Sequence, residues 1–75
     1  MGREVQVFAD NLRRLRLERG LSQEALGFES GLHRTEISLL ERAARDPRLT
    51  TMASLADGLD VPPAALLEGL SARGA

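Results

Sequence analysis

The chain has 75 residues, a hydrophobic fraction of 43%, two aromatic residues and a formal net charge of −1 at pH 7. This length suits one small domain, whose core must be built from aliphatic side chains, as in packed helices. Cysteine is absent, which excludes disulfides and thiolate metal sites. No apolar run reaches the length of a membrane span, and the first residues lack a signal-peptide pattern. We therefore expect a soluble, cytoplasmic protein.

A first helix is predicted within the opening twenty residues, because apolar side chains recur there at steps of three and four. Its predicted inner face consists of Val5, Phe8, Leu12 and Leu15. Its other faces are predicted to carry Arg13, Arg14 and Arg16. Gly20 is expected to end the helix, since glycine adopts a left-handed conformation with little strain.

The most informative segment runs from Leu21 to Glu41, where two short helices are predicted around one tight turn. Ser22 is expected to cap the second helix, which runs to about Ser30. Gly31 is expected to form the turn and to allow a close approach between the two helices. The side chains predicted to face inward from this segment are Leu21, Ala25, Leu26, Leu32, Ile37 and Leu40.

The third predicted helix begins at His33 and continues to about Arg42. His33 lies where a capping residue is needed, and Glu36 is three residues further on, the spacing of a capping box. The outer edge of this helix is predicted to be polar, with Arg34, Thr35 and Ser38. These residue types can reach into a DNA groove, so the pattern predicts a helix-turn-helix.

Two further helices are predicted after a loop that Pro47 interrupts. The fourth contains Leu49, Met52, Leu55, Ala56 and Leu59 and closes near residues 58–60. The fifth is expected to begin at Pro62-Pro63, because proline is tolerated in a first turn, and to stop near Gly69. The prediction is an all-α fold of five short helices in a single domain.

The charge distribution matters more than its sum. Proteins that bind phosphate usually have an excess of basic residues, and this chain, with a net charge of −1, does not. However, nine of the ten arginines lie in residues 1–48 with eight acidic residues, whereas residues 49–75 hold one arginine and three acidic residues. All the basic residues are arginine, a side chain suited to phosphates and guanine edges, although GC-rich coding gives the same composition.

From about Phe8 to Leu67 the chain resembles the phage-repressor and Cro-like helix-turn-helix family, often labelled XRE. The resemblance rests on the segments Phe8…Leu12-Arg13…Leu15-Arg16, Leu21-Ser22-Gln23-Glu24, Gly31-Leu32-His33-Arg34-Thr35-Glu36-Ile37-Ser38, Leu40-Glu41-Arg42 and Pro47-Arg48-Leu49. The Arg-Thr-x-Ile-Ser stretch is also similar to the controller proteins of restriction–modification systems. The resemblance implies a lambda-repressor-like domain over residues 1–75, with its core at 8–67 and the helix-turn-helix at about 22–41. It also implies a DNA-binding transcriptional regulator, with repression as the default.

The same resemblance assigns roles to individual residues. The third helix becomes the recognition helix, with Arg34 donating to a guanine and Thr35 and Ser38 as further base contacts. Contacts to the DNA backbone or minor groove are implied for Ser22, Gln23, Arg42, Arg45 and Arg48. Glu36 has two possible roles, acceptance of a hydrogen bond from cytosine or a helix cap, and the cap is favoured. Glu36 and Leu39 depart from the polar residues that the family often has on this edge. Further departures are Gly27 and Ala43, where alanine and glycine are usual, and Asp46, where asparagine is frequent.

The predicted partners are double-stranded DNA and a second copy of the chain. A domain of this size buries little surface on DNA, and two copies on a pseudo-palindrome increase selectivity. The candidates for the dimer interface are Val61, Leu66, Leu67 and Leu70, some of which must instead fill the core. We expect Phe28 to lie partly buried over the first helix, although a partner site is the alternative.

Catalysis, cofactors and metals are not expected. His33 is the single histidine, so the chain lacks the histidine and cysteine ligands of a typical metal site. A serine catalytic triad would need this same histidine, which is expected at a helix start. The glycines lack phosphate-loop spacing. The alternative function is a protein-interaction module on the same fold, such as an antitoxin or docking domain. The two functions differ in salt dependence, because phosphate-driven binding weakens steeply as salt rises.

Overall fold

The computed structural model describes residues 2–70, which form four α-helices and one short 3₁₀ helix. The α-helices are α1 (Arg3–Glu18), α2 (Gln23–Ser30), α3 (Arg34–Glu41) and α4 (Leu49–Leu59), and the 3₁₀ helix spans Pro63–Leu67. No strand is present in these residues. The all-α fold class is therefore confirmed.

The prediction of a fifth α-helix is wrong, because the last element is a 3₁₀ helix of five residues. Only the five residues Pro63–Leu67 are helical, and so short a segment closes with the tighter bonding of residue i to i+3. The Ala65 amide donates to the Pro62 carbonyl at 2.9 Å. The backbone becomes extended at Glu68, so the turn does not continue.

The helices enclose an aliphatic core around a single phenylalanine. α2 packs against α3 and α4, while α1 packs against α3 and the 3₁₀ helix. The core comprises Phe8, Leu12, Leu15, Leu26, Ile37, Leu40, Leu55, Ala56, Leu59 and Leu66. Leu66 is fully buried, so it is one of the interface candidates whose side chain fills the core instead.

A buried amide side chain fixes the C-terminal segment to α1. Asn11 Nδ2 donates to the carbonyl oxygens of Leu66 at 2.9 Å and Glu68 at 2.8 Å. Buried backbone carbonyls need hydrogen-bond partners, and here one side chain serves the buried carbonyl of Leu66 and the partly buried carbonyl of Glu68. The 3₁₀ helix is therefore fixed to α1 by hydrogen bonds as well as by apolar contact.

Local caps define the start and end of α2 and the start of α3. Ser22 Oγ accepts from the Ala25 amide at 2.9 Å, and Gly31 ends α2 with φ +72°. His33 Nδ1 accepts from the Thr35 amide at 3.0 Å. Each cap satisfies a backbone group that the helix itself leaves unpaired. The predicted caps at Ser22 and His33 and the turn at Gly31 are confirmed.

The close approach between α2 and α3 occurs at Gly27, not at Gly31 as predicted. A Cβ atom on Gly27 would lie 2.5 Å from the Leu32 carbonyl oxygen, whereas one on Gly31 would meet nothing within 4 Å. Such a separation is shorter than any van der Waals contact, and the obstacle is backbone. The packing therefore accounts for a mid-helix glycine, which would otherwise be a weak helix former.

Candidate nucleic-acid interface

The outer edge of α3 presents the residues predicted to contact bases. Arg34 and Thr35 are exposed in its first turn, and Ser38 is half-buried one turn later. Side chains at these spacings share one helix face. Arg34 Nη1 lies 3.5 Å from Glu24 Oε2, with both side chains largely exposed. Such a pair contributes little stability, so Arg34 is free to change partners.

The start of α2 lies beside a carboxylate that the predictions did not include. Gln23 Nε2 donates to Glu41 Oε1 at 3.2 Å. An amide nitrogen has two hydrogens, so one hydrogen of Gln23 remains available to a phosphate. The unpaired amides at the N-terminus of α2 are further donors for an anion. The structure therefore brings Ser22 and Gln23 together at a position suited to phosphate.

Arg16 does not lie on an outer face, which corrects the prediction. It is only 8% exposed, its Nε lies 2.5 Å from Glu41 Oε2, and its Nη2 lies 3.0 Å from Glu41 Oε1. Its Nη1 donates to the Leu21 carbonyl at 2.8 Å. The hydrogen bonds to Glu41 raise the pKa of Arg16 above its ordinary value despite the burial. This cluster joins α1, the start of α2 and the end of α3.

The loop after α3 carries the three arginines predicted to follow the DNA backbone. All three are exposed. Arg42 Nε donates to the Ser38 carbonyl at 3.4 Å, and Arg48 forms no ion pair within residues 2–70. Arg45 Nη1 lies 2.5 Å from Glu36 Oε1. Two arginines of this surface, Arg34 and Arg45, are therefore paired with carboxylates of the same surface.

The prediction of Glu36 as a helix cap is wrong. His33 caps α3 with its own ring nitrogen, and the Glu36 carboxylate is bound to Arg45 instead. The pair lies in a groove between the helix-turn-helix and the α3–α4 loop. This groove is lined by Gly31, Leu32, His33, Glu36, Arg45, Asp46, Arg48 and Thr51.

Phe28 is exposed, which corrects the prediction that it lies over α1. The residue is 85% exposed on the outer side of α2. α2 packs against α3 and α4, so α1 does not cover this side of the helix. Phe28 borders a shallow depression together with Glu24, Leu32, His33 and Arg34.

A second partly apolar surface contains the remaining dimer candidates. Leu67 and Leu70 are partly exposed and border a groove with Val5, Phe8, Pro47 and Met52. Val61 is half-buried against the core. Leu49, the first residue of α4, is 77% exposed.

The sequence predictions missed the pairing of the arginines with acidic side chains. Glu41 follows Ile37 by four positions, so both lie on the inner side of α3. A carboxylate at a core-facing position needs a buried partner, and this spacing was the available signal. For Glu24 and Glu36 no comparable signal exists, because both lie on exposed or half-exposed faces.

Residues 2–70 contain neither a candidate metal-ion cluster nor a candidate membrane-spanning helix. This part of the chain contains no group of three or more His, Cys, Asp or Glu residues placed to hold a metal ion. It also contains no helix with the length and hydropathy needed to cross a membrane.

Comparison with known proteins connects this geometry to a family. The helix-turn-helix family model HTH_3 matches residues 12–66. The control protein C.BamHI of Bacillus amyloliquefaciens is 40% identical over 63 residues, which cover 83% of this chain and 78% of that protein. The restriction-modification controller protein C.AhdI from Aeromonas hydrophila has a similar structure, with a TM-score of 0.81 and 42% identity over 83% of this chain and 94% of that chain.

A third relative is the controller protein C.Esp1396I, whose tetramer has been solved in complex with its natural 35 base-pair operator. Its TM-score is 0.84 at 29% identity, over 91% of this chain and 90% of that chain. The family match covers the two capped helices, the turn at Gly31 and the exposed edge of α3. The chain therefore belongs to the helix-turn-helix family, and its resemblance to restriction–modification controller proteins is confirmed.

Proposed function

We propose that this protein is a sequence-specific transcriptional regulator of the controller type, which binds operator DNA as a homodimer. The observation that carries the proposal is the exposed edge of α3, with Arg34, Thr35 and Ser38 on one face of a helix-turn-helix fold. A helix presented in this way fits the major groove, where its first residues contact base edges. Repression by occupancy of the operator is the default mode of action.

The strongest base contact is assigned to Arg34. A guanidinium donates two parallel hydrogen bonds to guanine O6 and N7, which contribute about 1–3 kcal/mol of discrimination. The exposed partner Glu24 releases Arg34 at little cost. Thr35 and Ser38 supply a methyl group or hydroxyls to neighbouring bases.

The DNA backbone contacts are assigned to Ser22 and Gln23 at the start of α2 and to the arginines of the α3–α4 loop. The amides of α2 and the remaining hydrogen of Gln23 are donors for one phosphate. Arg42 and Arg45 follow the backbone, and Arg48, at the start of α4, contacts the backbone or a narrow minor groove.

A homodimer places two recognition helices about 34 Å apart, one helical turn of DNA. We assign the dimer contact to Leu67, Leu70 and the half-buried Val61, which lie on or next to the 3₁₀ helix. We further propose that the protein binds without catalysis or a cofactor and acts in the cytoplasm, where bacterial operators lie.

The test of the function is selection of bound DNA from a random pool at two salt concentrations. We expect an enriched inverted repeat whose recovery falls as salt rises, because each neutralised phosphate releases counterions. No enrichment at low salt would contradict the proposal.

The residue assignments are tested on the selected operator. Arg34→Ala should relax discrimination at one base pair of each half-site, whereas Gln23→Ala should weaken binding evenly across sequences. Arg14→Ala is the control, since Arg14 lies on α1 and pairs with Glu18. An Arg34→Ala variant that loses the same affinity for all DNA sequences would contradict the assignment of a base contact to Arg34.

The dimer assignment is tested by sedimentation of a Leu67→Asp variant. We expect a monomer that remains folded, because Leu67 lies outside the core. Leu66→Ala is the contrasting variant and should lower stability instead, by about 2–5 kcal/mol for a buried leucine. A Leu67→Asp protein that sediments as a dimer would remove this residue from the interface.

A second candidate function, docking to a protein partner, is favoured by one observation. Phe28 is a large apolar side chain exposed to 85% beside the start of α3. Exposed aromatic side chains are typical of the centres of protein interfaces. Binding of a protein that persists at high salt and is lost with Phe28→Ser would support docking. DNA binding that Phe28→Ser leaves unchanged would support the regulator.

A further inference from the structure

The Glu36–Arg45 ion pair joins the recognition helix to the loop that follows it. Glu36 is the third residue of α3, and Arg45 lies beyond the end of that helix. The two side chains approach to 2.5 Å, with Glu36 25% and Arg45 52% exposed. The pair therefore lies partly in solvent, where a third group can compete for either member.

On DNA these two charges have opposite preferences. A phosphate attracts Arg45 and repels Glu36, so a DNA backbone at this position competes directly with the ion pair. If Arg45 moves to a phosphate, Glu36 is left without its partner close to a polyanion. The loss of the ion pair is offset only where the DNA offers a hydrogen-bond donor to the Glu36 carboxylate.

Cytosine is the base that best supplies such a donor. Its N4 amino group projects into the major groove, and a glutamate carboxylate accepts from it. Adenine also offers an amino group, but its N7 acceptor lies beside that group and repels a carboxylate. Guanine and thymine present acceptors at the corresponding position.

We propose that Glu36 determines specificity for a cytosine in each half-site, and that its pairing with Arg45 suppresses binding to DNA that lacks this base. The inference rests on the proposed DNA-binding function. In the free protein Arg45 is neutralised by Glu36. On the operator Arg45 binds a phosphate while Glu36 accepts from cytosine, and on other DNA the carboxylate opposes binding.

Replacement of the carboxylate by its amide tests this assignment. Glutamine has both a donor and an acceptor, which fit the N7 and N6 positions of adenine. Glu36→Gln should therefore exchange the preference for cytosine for a preference for adenine at the same base pair. The expected loss on the cytosine operator is about 5- to 150-fold. Affinity for random DNA should rise, because Arg45 is no longer neutralised.

Glu29→Gln is the matched control. It removes the same charge from the helix-turn-helix, and Glu29 makes no ion pair within the described residues. It should leave the base preference unchanged. Arg45→Gln is a second variant that keeps Glu36, so it should weaken binding but keep the cytosine preference.

The experiment is selection from a random pool with the wild type and the three variants, followed by titration of operators with each base at the selected position. An exchange from cytosine to adenine only in Glu36→Gln supports the inference. An unchanged preference in Glu36→Gln, with a cooperative unfolding transition, overturns it while the regulator function stands. Failure of the wild type to enrich any DNA overturns both.

Discussion

Arg16 of α1 and Glu41 of α3 form a bidentate ion pair in which both side chains are almost completely buried. A buried charge without its partner is far less favourable than the intact pair, so truncation of either residue is costly. We expect Glu41→Ala to lower the free energy of unfolding by about 3–5 kcal/mol. Chemical denaturation measures this loss.

Glu18→Ala is the control for that variant, because it breaks the exposed Arg14–Glu18 pair. Exposed pairs contribute about 0–1 kcal/mol. Similar losses for the two variants would contradict the structural importance of the buried pair. Since Glu41 raises the pKa of Arg16, this guanidinium remains charged, and its contribution persists, through neutral and mildly alkaline pH; it is lost only as pH rises through that raised pKa.

Gly27→Ala separates helix propensity from packing. Propensity alone predicts a gain of about 1 kcal/mol in the middle of a helix. The Leu32 carbonyl would lie 2.5 Å from the new Cβ, so we expect a loss of about 1–3 kcal/mol from overpacking. Ala53→Gly, at an exposed position of α4, measures helix propensity without the steric conflict. A stabilised Gly27→Ala protein would show that α2 and α3 move apart without cost.

Two left-handed positions allow a reciprocal exchange. Gly31 has φ +72° and Ala43 has φ +56°, a conformation that costs a residue with a Cβ of the order of 1 kcal/mol. Gly31→Ala should therefore lower the melting temperature, and Ala43→Gly should raise it slightly, since part of the gain is offset by the flexibility of glycine in the unfolded chain. Changes of the same sign for both variants would be inconsistent with these backbone angles.

The cap at His33 predicts a difference between two substitutions. His33→Ala removes the acceptor for the Thr35 amide and should cost about 1 kcal/mol, whereas His33→Asn keeps an acceptor at the cap. Thermal unfolding of the two variants measures the difference. Equal stability would mean that water replaces the ring nitrogen without loss.

The features that sequence analysis predicted correctly are local. The caps at Ser22 and His33 and the turn at Gly31 depend on hydrogen bonds that close within five residues, so the residue types alone indicate them. The positions of Arg16 and Phe28 depend on which helices meet in three dimensions. Arg16 finds its partner 25 residues further on, and Phe28 lies on the solvent side of α2.

The candidate site shows the same division. The exposed positions of Arg34 and Thr35 follow from helix periodicity, because their neighbours Ile37 and Leu40 must face the core. The pairing of Arg45 with Glu36 depends on the path of the α3–α4 loop, which has no repeating pattern to predict it. The last helix is a 3₁₀ helix and not an α-helix because the backbone becomes extended at Glu68, only a few residues after Pro63.

The two hydrogen bonds that Asn11 makes to the carbonyls of Leu66 and Glu68 enclose Leu67 between two fixed points. A contact surface that is already ordered loses little conformational entropy when it meets its partner. Self-association through Leu67 would then be a docking of rigid bodies, with a rate set by diffusion and orientation instead of by folding. Dimer formation would then need no ordering step at the interface, so newly made regulator would respond to its own accumulation as soon as the domain has folded.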